Sequence, residues 1–213
     1  MAARLLLVRH GQTVWHAENR YAGCSDVALT EAGERQADAL GEWAAGRAVD
    51  AVACSPLSRA RRTAEPAAQA LGLVPEVHEG LRELDFGWAE GRTIEEMTAE
   101  NPEAVRAFRA DAERGAFPGS ERPSTVAERV CAVLRRLAVA HDGGTVLVVA
   151  HNSALRIALC ALLGIPVGRY RLVLPRLENA AVSEIEVDGA RTALRSLNVP
   201  TAPGGSSAGR EGA

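Results

Sequence analysis

The chain has 213 residues, 47% hydrophobic and 24% charged, with a formal net charge of −3. That size and composition suit one soluble domain with at most a modest insertion, and the slight negative charge gives no general attraction to nucleic acid or anionic lipid. All 24 basic residues are Arg, which excludes chemistries that need a Lys amine: P-loop phosphate binding, pyridoxal-phosphate catalysis and Schiff-base aldol reactions.

Arg4 to Val8 is a short apolar run ahead of a Gly and predicts a buried parallel strand. Thr30 to Ala45 opens with a capping Thr and an acidic first turn, which predicts a helix. A second strand is expected at Ala51 to Cys54. Ser55-Pro56 then sets a capping Ser before a Pro at the first helical position, predicting a helix from Pro56 to Leu71 that stops at Gly72. Glu76 to His78 reads as a third strand. Residues 93–123 are helical in composition but break the alternation, notably at Gly115-Ala116-Phe117-Pro118-Gly119, and are expected to form a small helical cap over the site. A helix from Thr125 to Ala140, a strand from Thr145 to Ala150 and a helix from Ser153 to Leu163 follow. Ala180 to Val187 and Arg191 to Leu197 alternate like late or edge strands. Strands alternating with helices imply an α/β sheet covered on both faces. The domain is expected over residues 1–199, with 200–213, rich in Gly, Ser and Ala, as a disordered tail.

Cys24, Cys54, Cys131 and Cys160 form no C-x-x-C pair, so neither zinc nor redox chemistry is indicated, and all four are expected to be small core hydrophobes. The apolar run after Arg4 is too short for a signal-peptide core, and no run approaches the ~20 residues of a membrane span. The expected location is the cytoplasm, with no membrane or nucleic-acid partner.

Arg9-His10-Gly11 falls directly after the first strand, where an α/β sheet presents ligand-binding residues. Arg59 lies early in the helix after the second strand, Glu83 shortly after the third, and His151 immediately after the apolar run at 145–150. These side chains suit a phosphate monoester. Arg gives planar donors to phosphate oxygens. A neutral His near pH 7 is a nucleophile when its other ring nitrogen donates to a carbonyl. A Glu held partly out of water can protonate a leaving alkoxide and then deprotonate water. Among nearby carboxylates Glu79, Asp85 and Glu90 are the competitors of Glu83. Arg61 and Arg62 read as surface charges, His78 and His141 as structural or exposed, and most of Trp15, Tyr21, Trp88, Phe108 and Phe117 as packing.

Four motifs in this order resemble the histidine phosphatase superfamily, which includes the cofactor-dependent phosphoglycerate mutases. They are Leu7-Val8-Arg9-His10-Gly11-Gln12-Thr13, Ser55-Pro56-Leu57-Ser58-Arg59-Ala60 with Thr63-Ala64, Leu81-Arg82-Glu83 with Phe86-Gly87 and Glu90-Gly91, and Val149-Ala150-His151. The resemblance runs to about Leu197. It implies a three-layer α/β/α sandwich with a mixed, mainly parallel sheet. It also implies phosphorylation of His10, phosphoryl binding by Arg9, Arg59 and His151, proton donation by Glu83, and hydrolysis without a metal or organic cofactor. His16, Gly23 and Asn152 join Arg9, Arg59 and His151 as expected substrate contacts.

Two of these depart from the family pattern: His16 replaces the usual Asn and Asn152 the usual Gly, which should alter binding more than chemistry. Gly119-Ser120-Glu121-Arg122 fits the family's G-G-E-S segment only in part. The frame after Glu83 is typical of the phosphatase branches, and only 68 positions separate Glu83 from His151, whereas mutases carry a longer basic insertion there. The leading expectation is a phosphatase acting on a small phosphomonoester. A phosphoglycerate mutase and a non-catalytic phosphate-binding module are the alternatives. An exposed late strand offers an edge across which a homodimer could pair, although no residue pattern commits the chain to one.

Overall fold

A computed structural model describes residues 1–201 of the chain. Six strands form one sheet: β1 (Ala3–Arg9), β2 (Ala51–Cys54), β3 (Glu76–Val77), β4 (Thr145–Ala150), β5 (Val182–Asp188) and β6 (Arg191–Val199). Their order is β3-β2-β4-β1-β5-β6. β3, β2, β4 and β1 pair in parallel, while β5 is antiparallel to both β1 and β6. The helices are α1 (Glu31–Ala44), α2 (Ser58–Leu71), α3 (Ile94–Glu100), α4 (Pro102–Ala110), α5 (Pro123–Ala140), α6 (Asn152–Leu162) and α7 (Tyr170–Val173).

Side chains alternate across the central strands, so each strand feeds two cores. Leu6, Val8, Val52, Leu147 and Val149 pack on one face with alanines of α1 and α2. Leu5, Leu7, Ala53, Val146 and Val148 pack on the other with Leu134, Leu137, Leu155 and Leu159 of α5 and α6. The result is the mixed, mainly parallel α/β/α sandwich expected. Phe108 and Phe117 of the 93–123 stretch stack at 4.3 Å, and Tyr21 meets Phe86 edge-on at 4.8 Å, so these aromatics pack rather than line an open pocket.

Thr30 caps α1 by accepting from the Gly33 amide, and Gly72 ends α2 in the left-handed region at φ 68°. The start of α2 differs from expectation. It begins at Ser58, where Asp26 Oδ1 accepts from the Ser58 amide at 3.0 Å, while the Ser55 hydroxyl meets His151 Nε2 at 2.7 Å and the Leu57 amide at 3.4 Å ahead of the helix. α5 and α6 start at Pro123 and Asn152, slightly before the expected Thr125 and Ser153. Of the cysteines, Cys54, Cys131 and Cys160 are buried but Cys24 is exposed, since it sits on a loop at the mouth of a cavity. Among the described residues no helix is long and apolar enough to cross a membrane. The expected tail at 200–213 lies almost entirely outside the described residues.

Candidate active site

Parallel β1, β4 and β2 open their carboxyl ends on one edge. Their register sets Arg9 beside Ala150 and Cys54 beside Val149. The next residues, His10, His151 and Ser55, therefore leave the sheet together, anchored by His10 N donating to Ala150 O and Ser55 N to Val149 O, both at 3.0 Å. The His10 and His151 rings lie 5.1 Å apart, centroid to centroid.

His10 is buried, and its Nδ1 lies 2.7 Å from the Gly11 carbonyl. A carbonyl only accepts, so Nδ1 carries the proton and Nε2 keeps its lone pair. Burial, with the charges of Arg59 and Arg9, holds the His10 pKa well below its ordinary value despite that hydrogen bond. His151 is also depressed, first by burial and then by Arg59 and His10. Arg59 Nε–H faces His151 Nδ1 at 3.3 Å, which leaves His151 Nε2–H to donate to Ser55 Oγ at 2.7 Å.

Both expected arginines are buried and held by neutral acceptors. Arg59 donates to the carbonyls of Ser25, Ala22 and Gly23 at 2.7, 3.2 and 2.9 Å. Gly23 must be glycine for that loop to close: a Cβ there would lie 2.5 Å from Leu84 O and 2.7 Å from Glu90 Oε2. Arg9 donates to Leu177 O at 2.7 Å and meets His16 Nε2 at 2.5 Å. Among the described residues its buried Nε has no partner. Burial, then Arg176 and Arg156, push the Arg9 pKa down to about 9, still protonated at neutral pH.

An arginine cannot accept, so His16 Nε2 faces a donor in Arg9, while Nδ1 faces another in the Thr13 amide at 3.0 Å and lies 2.8 Å from Thr13 Oγ1. A proton on each nitrogen would set a cation against Arg9, and burial plus that charge push the His16 pKa down to about 3. Asn152 turns away from the histidines: its Oδ1 accepts from Leu177 N at 3.1 Å, and Leu177 O is what Arg9 binds. The two departures from the family pattern thus grip Arg9 from opposite ends of one network.

Glu83 is buried at the N-terminus of α6, where Oε1 accepts from the Leu84 and Ala154 amides at 2.9 and 2.8 Å and Oε2 from the Ser153 amide at 2.9 Å. Its charge is near enough to raise the pKa values of Arg9 and Arg59. The arrangement can bind a dianion between uncancelled guanidinium groups and present a bare imidazole nitrogen to it.

All the expected site residues fall in this region. Ser55, read from sequence as a helix cap, is an unforeseen member. So is Asn179, whose Nδ2 donates to His10 O at 2.8 Å and which carries no sequence signal because only the antiparallel return of β5 brings it there. Thr63, quoted for its motif but given no role, accepts from the Gly11 amide at 2.9 Å and fixes the nucleophile loop from α2.

A protein named probable phosphoglycerate mutase GpmB, from Salmonella choleraesuis, is 37% identical over 183 residues, covering 86% of this chain and 84% of that protein. Among solved structures, a mycobacterial glucosyl-3-phosphoglycerate phosphatase superposes with a TM-score of 0.85 at 31% identity, covering 93% of this chain and 100% of that one. A putative alpha-ribazole-5'-P phosphatase from Escherichia coli superposes with a TM-score of 0.83 at 28% identity, covering 94% and 98%. The pattern of one family, the histidine phosphatase superfamily (branch 1), matches residues 5–200. Since that match takes in every strand and the whole cluster around His10, the chain belongs to the histidine phosphatase superfamily.

Proposed function

We propose that the chain is a phosphatase that hydrolyses a small-molecule phosphomonoester through a phosphohistidine on His10. The observation that carries this reading is the His10 ring itself: Nδ1 is committed to Gly11 O at 2.7 Å, leaving an unprotonated Nε2 between two buried arginines. The phosphoryl group sits among Arg9, Arg59 and His151, near Gly23, with His16 and Asn152 supporting Arg9. The Nε2 lone pair attacks phosphorus as the ester P–O bond breaks, and the departing alkoxide takes a proton from Glu83. Oε2 is the oxygen that holds this proton, because it receives one amide donor where Oε1 receives two. Water then attacks the phosphohistidine, Glu83 takes its proton, the N–P bond breaks and inorganic phosphate leaves.

A mutase reading draws support from the name of the curated relative. Such an enzyme must return phosphate to a sugar acid before water reaches the phosphohistidine. Inorganic phosphate release from a panel of phosphomonoesters, with chelator present, should occur with wild type and be abolished in His10→Ala. Interconversion of 3- and 2-phosphoglycerate with bisphosphoglycerate present and little free phosphate would replace the phosphatase reading with the mutase one. Phosphate binding by both proteins without turnover of any substrate would leave a binding module.

A further inference from the structure

A cavity of about 580 Å³ adjoins the phosphate-binding cluster. Glu83 and Cys24 link it to that cluster: Glu83 is bonded to the amides that follow His151, and Cys24 follows Gly23, whose carbonyl binds Arg59. Gly119, Ser120 and Glu121 form its outer wall. That wall lies against the core at Gly87, whose φ is 52° and where a Cβ would come within 2.4 Å of the backbone of Gly119 and Ser120. Glu83, the proposed acid, is the residue that cavity and cluster share, so a leaving group that takes the Glu83 proton would lie at this cavity.

With Glu83 carrying the proton it gives to the leaving group, Glu79, Asp85 and Glu121 line the cavity against two cations, Arg82 and Arg129, a balance of three negative charges to two positive. Neither cation is free. Arg129 pairs with Glu121 at 2.7 Å and gives its other donors to the carbonyls of Gly80, Arg82 and Glu83 at 2.7–3.0 Å. Arg82 pairs with Glu79 at 3.3 Å. Asp85 remains, its Oδ1 accepting from the Gly87 amide at 2.9 Å and in no ion pair among the described residues.

We infer that the substrate's leaving group bears hydroxyl donors and no negative charge, as a sugar or polyol does. We also infer that the cavity rejects an alcohol carrying a carboxylate or a second phosphate. This rests on the phosphatase reading above. Hydroxyls can donate to the free Asp85 oxygen, whereas an added anion meets like charge there and finds both guanidinium groups already facing glutamates.

Glycerol 3-phosphate and 3-phosphoglycerate test this, because they differ by a hydroxymethyl group against a carboxylate. Wild-type kcat/KM should favour glycerol 3-phosphate by roughly tenfold or more, the scale of one uncompensated like-charge contact. Asp85→Asn, which keeps the acceptor for the Gly87 amide, should narrow that ratio several-fold, mainly through KM of the carboxylate ester. Equal or reversed preference in wild type, or a ratio unmoved by Asp85→Asn, would overturn the inference. Phenyl phosphate, which has no side group to discriminate, reports separately on the phosphatase reading through its dependence on His10. Calorimetric binding of the same two esters to His10→Ala reads the discrimination without turnover: roughly tenfold tighter binding of glycerol 3-phosphate supports the inference, and equal affinities overturn it.

Discussion

The arginines on the two sides of Glu83 are used in opposite ways. Arg9 and Arg59 are buried and bonded only to carbonyls and imidazoles, with no carboxylate partner among the described residues, whereas Arg82 and Arg129 beside the cavity are each paired with a glutamate. A guanidinium held by a neutral acceptor keeps its full charge for a ligand, and one held by a carboxylate does not. The anion affinity proposed for this protein would follow from which arginines are left unpaired more than from how many there are.

The sharpest way to break that contrast is Arg59→Lys, which keeps the charge but loses the planar fork shared among three carbonyls and His151. A loss on the order of 10³-fold in kcat/KM on phenyl phosphate is expected, with circular dichroism checking that the fold survives. A loss under threefold would show that charge alone suffices. Glu83→Gln should cost about 10²- to 10⁴-fold on alkyl phosphates and far less on activated aryl phosphates, whose leaving groups need no proton. Equal losses on the two ester types would remove Glu83 from the acid role.

His16→Ala, which deletes the acceptor on Arg9, should raise KM about tenfold, the cost of one charge-assisted hydrogen bond, with kcat changed less. His16→Asn should restore most of it through the amide oxygen. If Asn rescues no better than Ala, His16 does not act by orienting Arg9.

Smaller again is an effect of pH on stability. His10, His16 and His151 all have depressed pKa values, His16 at about 3, so the folded protein keeps them neutral where the unfolded chain takes up protons. Because their folded pKa values lie below the ordinary 6.5, their contribution is intact above about pH 6.5 and is lost as pH falls below it, by at most about 2 kcal/mol each at pH 5. Thermal melts should show Tm dropping from pH 7 to pH 5, and less steeply in His16→Asn.

The sheet and its helices were legible because β1, β2 and β4 are built on apolar runs, β5 and β6 alternate, and most helices carry a cap or stop of their own. His10, Arg59, Glu83 and His151 were legible because each follows a strand or opens a helix that sequence alone delineates. What sequence did not show depends on register across the sheet. Ser55 looked like a cap until β2 and β4 were set side by side, and Asn179 reaches His10 O only through the reversal of β5. Asn152 looked like a ligand contact, yet its oxygen is taken by Leu177 N, a residue 25 positions away. The pairing of Arg129 with Glu121 is likewise a tertiary event, and it sets the sign of the cavity.

The unpaired buried charges also bear on the protein at rest. Arg9, Arg59 and Arg156 lie in the interior with their pKa values lowered by burial, so the unliganded fold carries an electrostatic cost that an anion relieves. By mass action, inorganic phosphate should then raise the melting temperature in proportion to the logarithm of its excess over Kd. On the phosphatase reading, the same equilibrium would make phosphate an inhibitor of the hydrolysis that produces it, so occupancy by product would brace the fold and slow turnover at once.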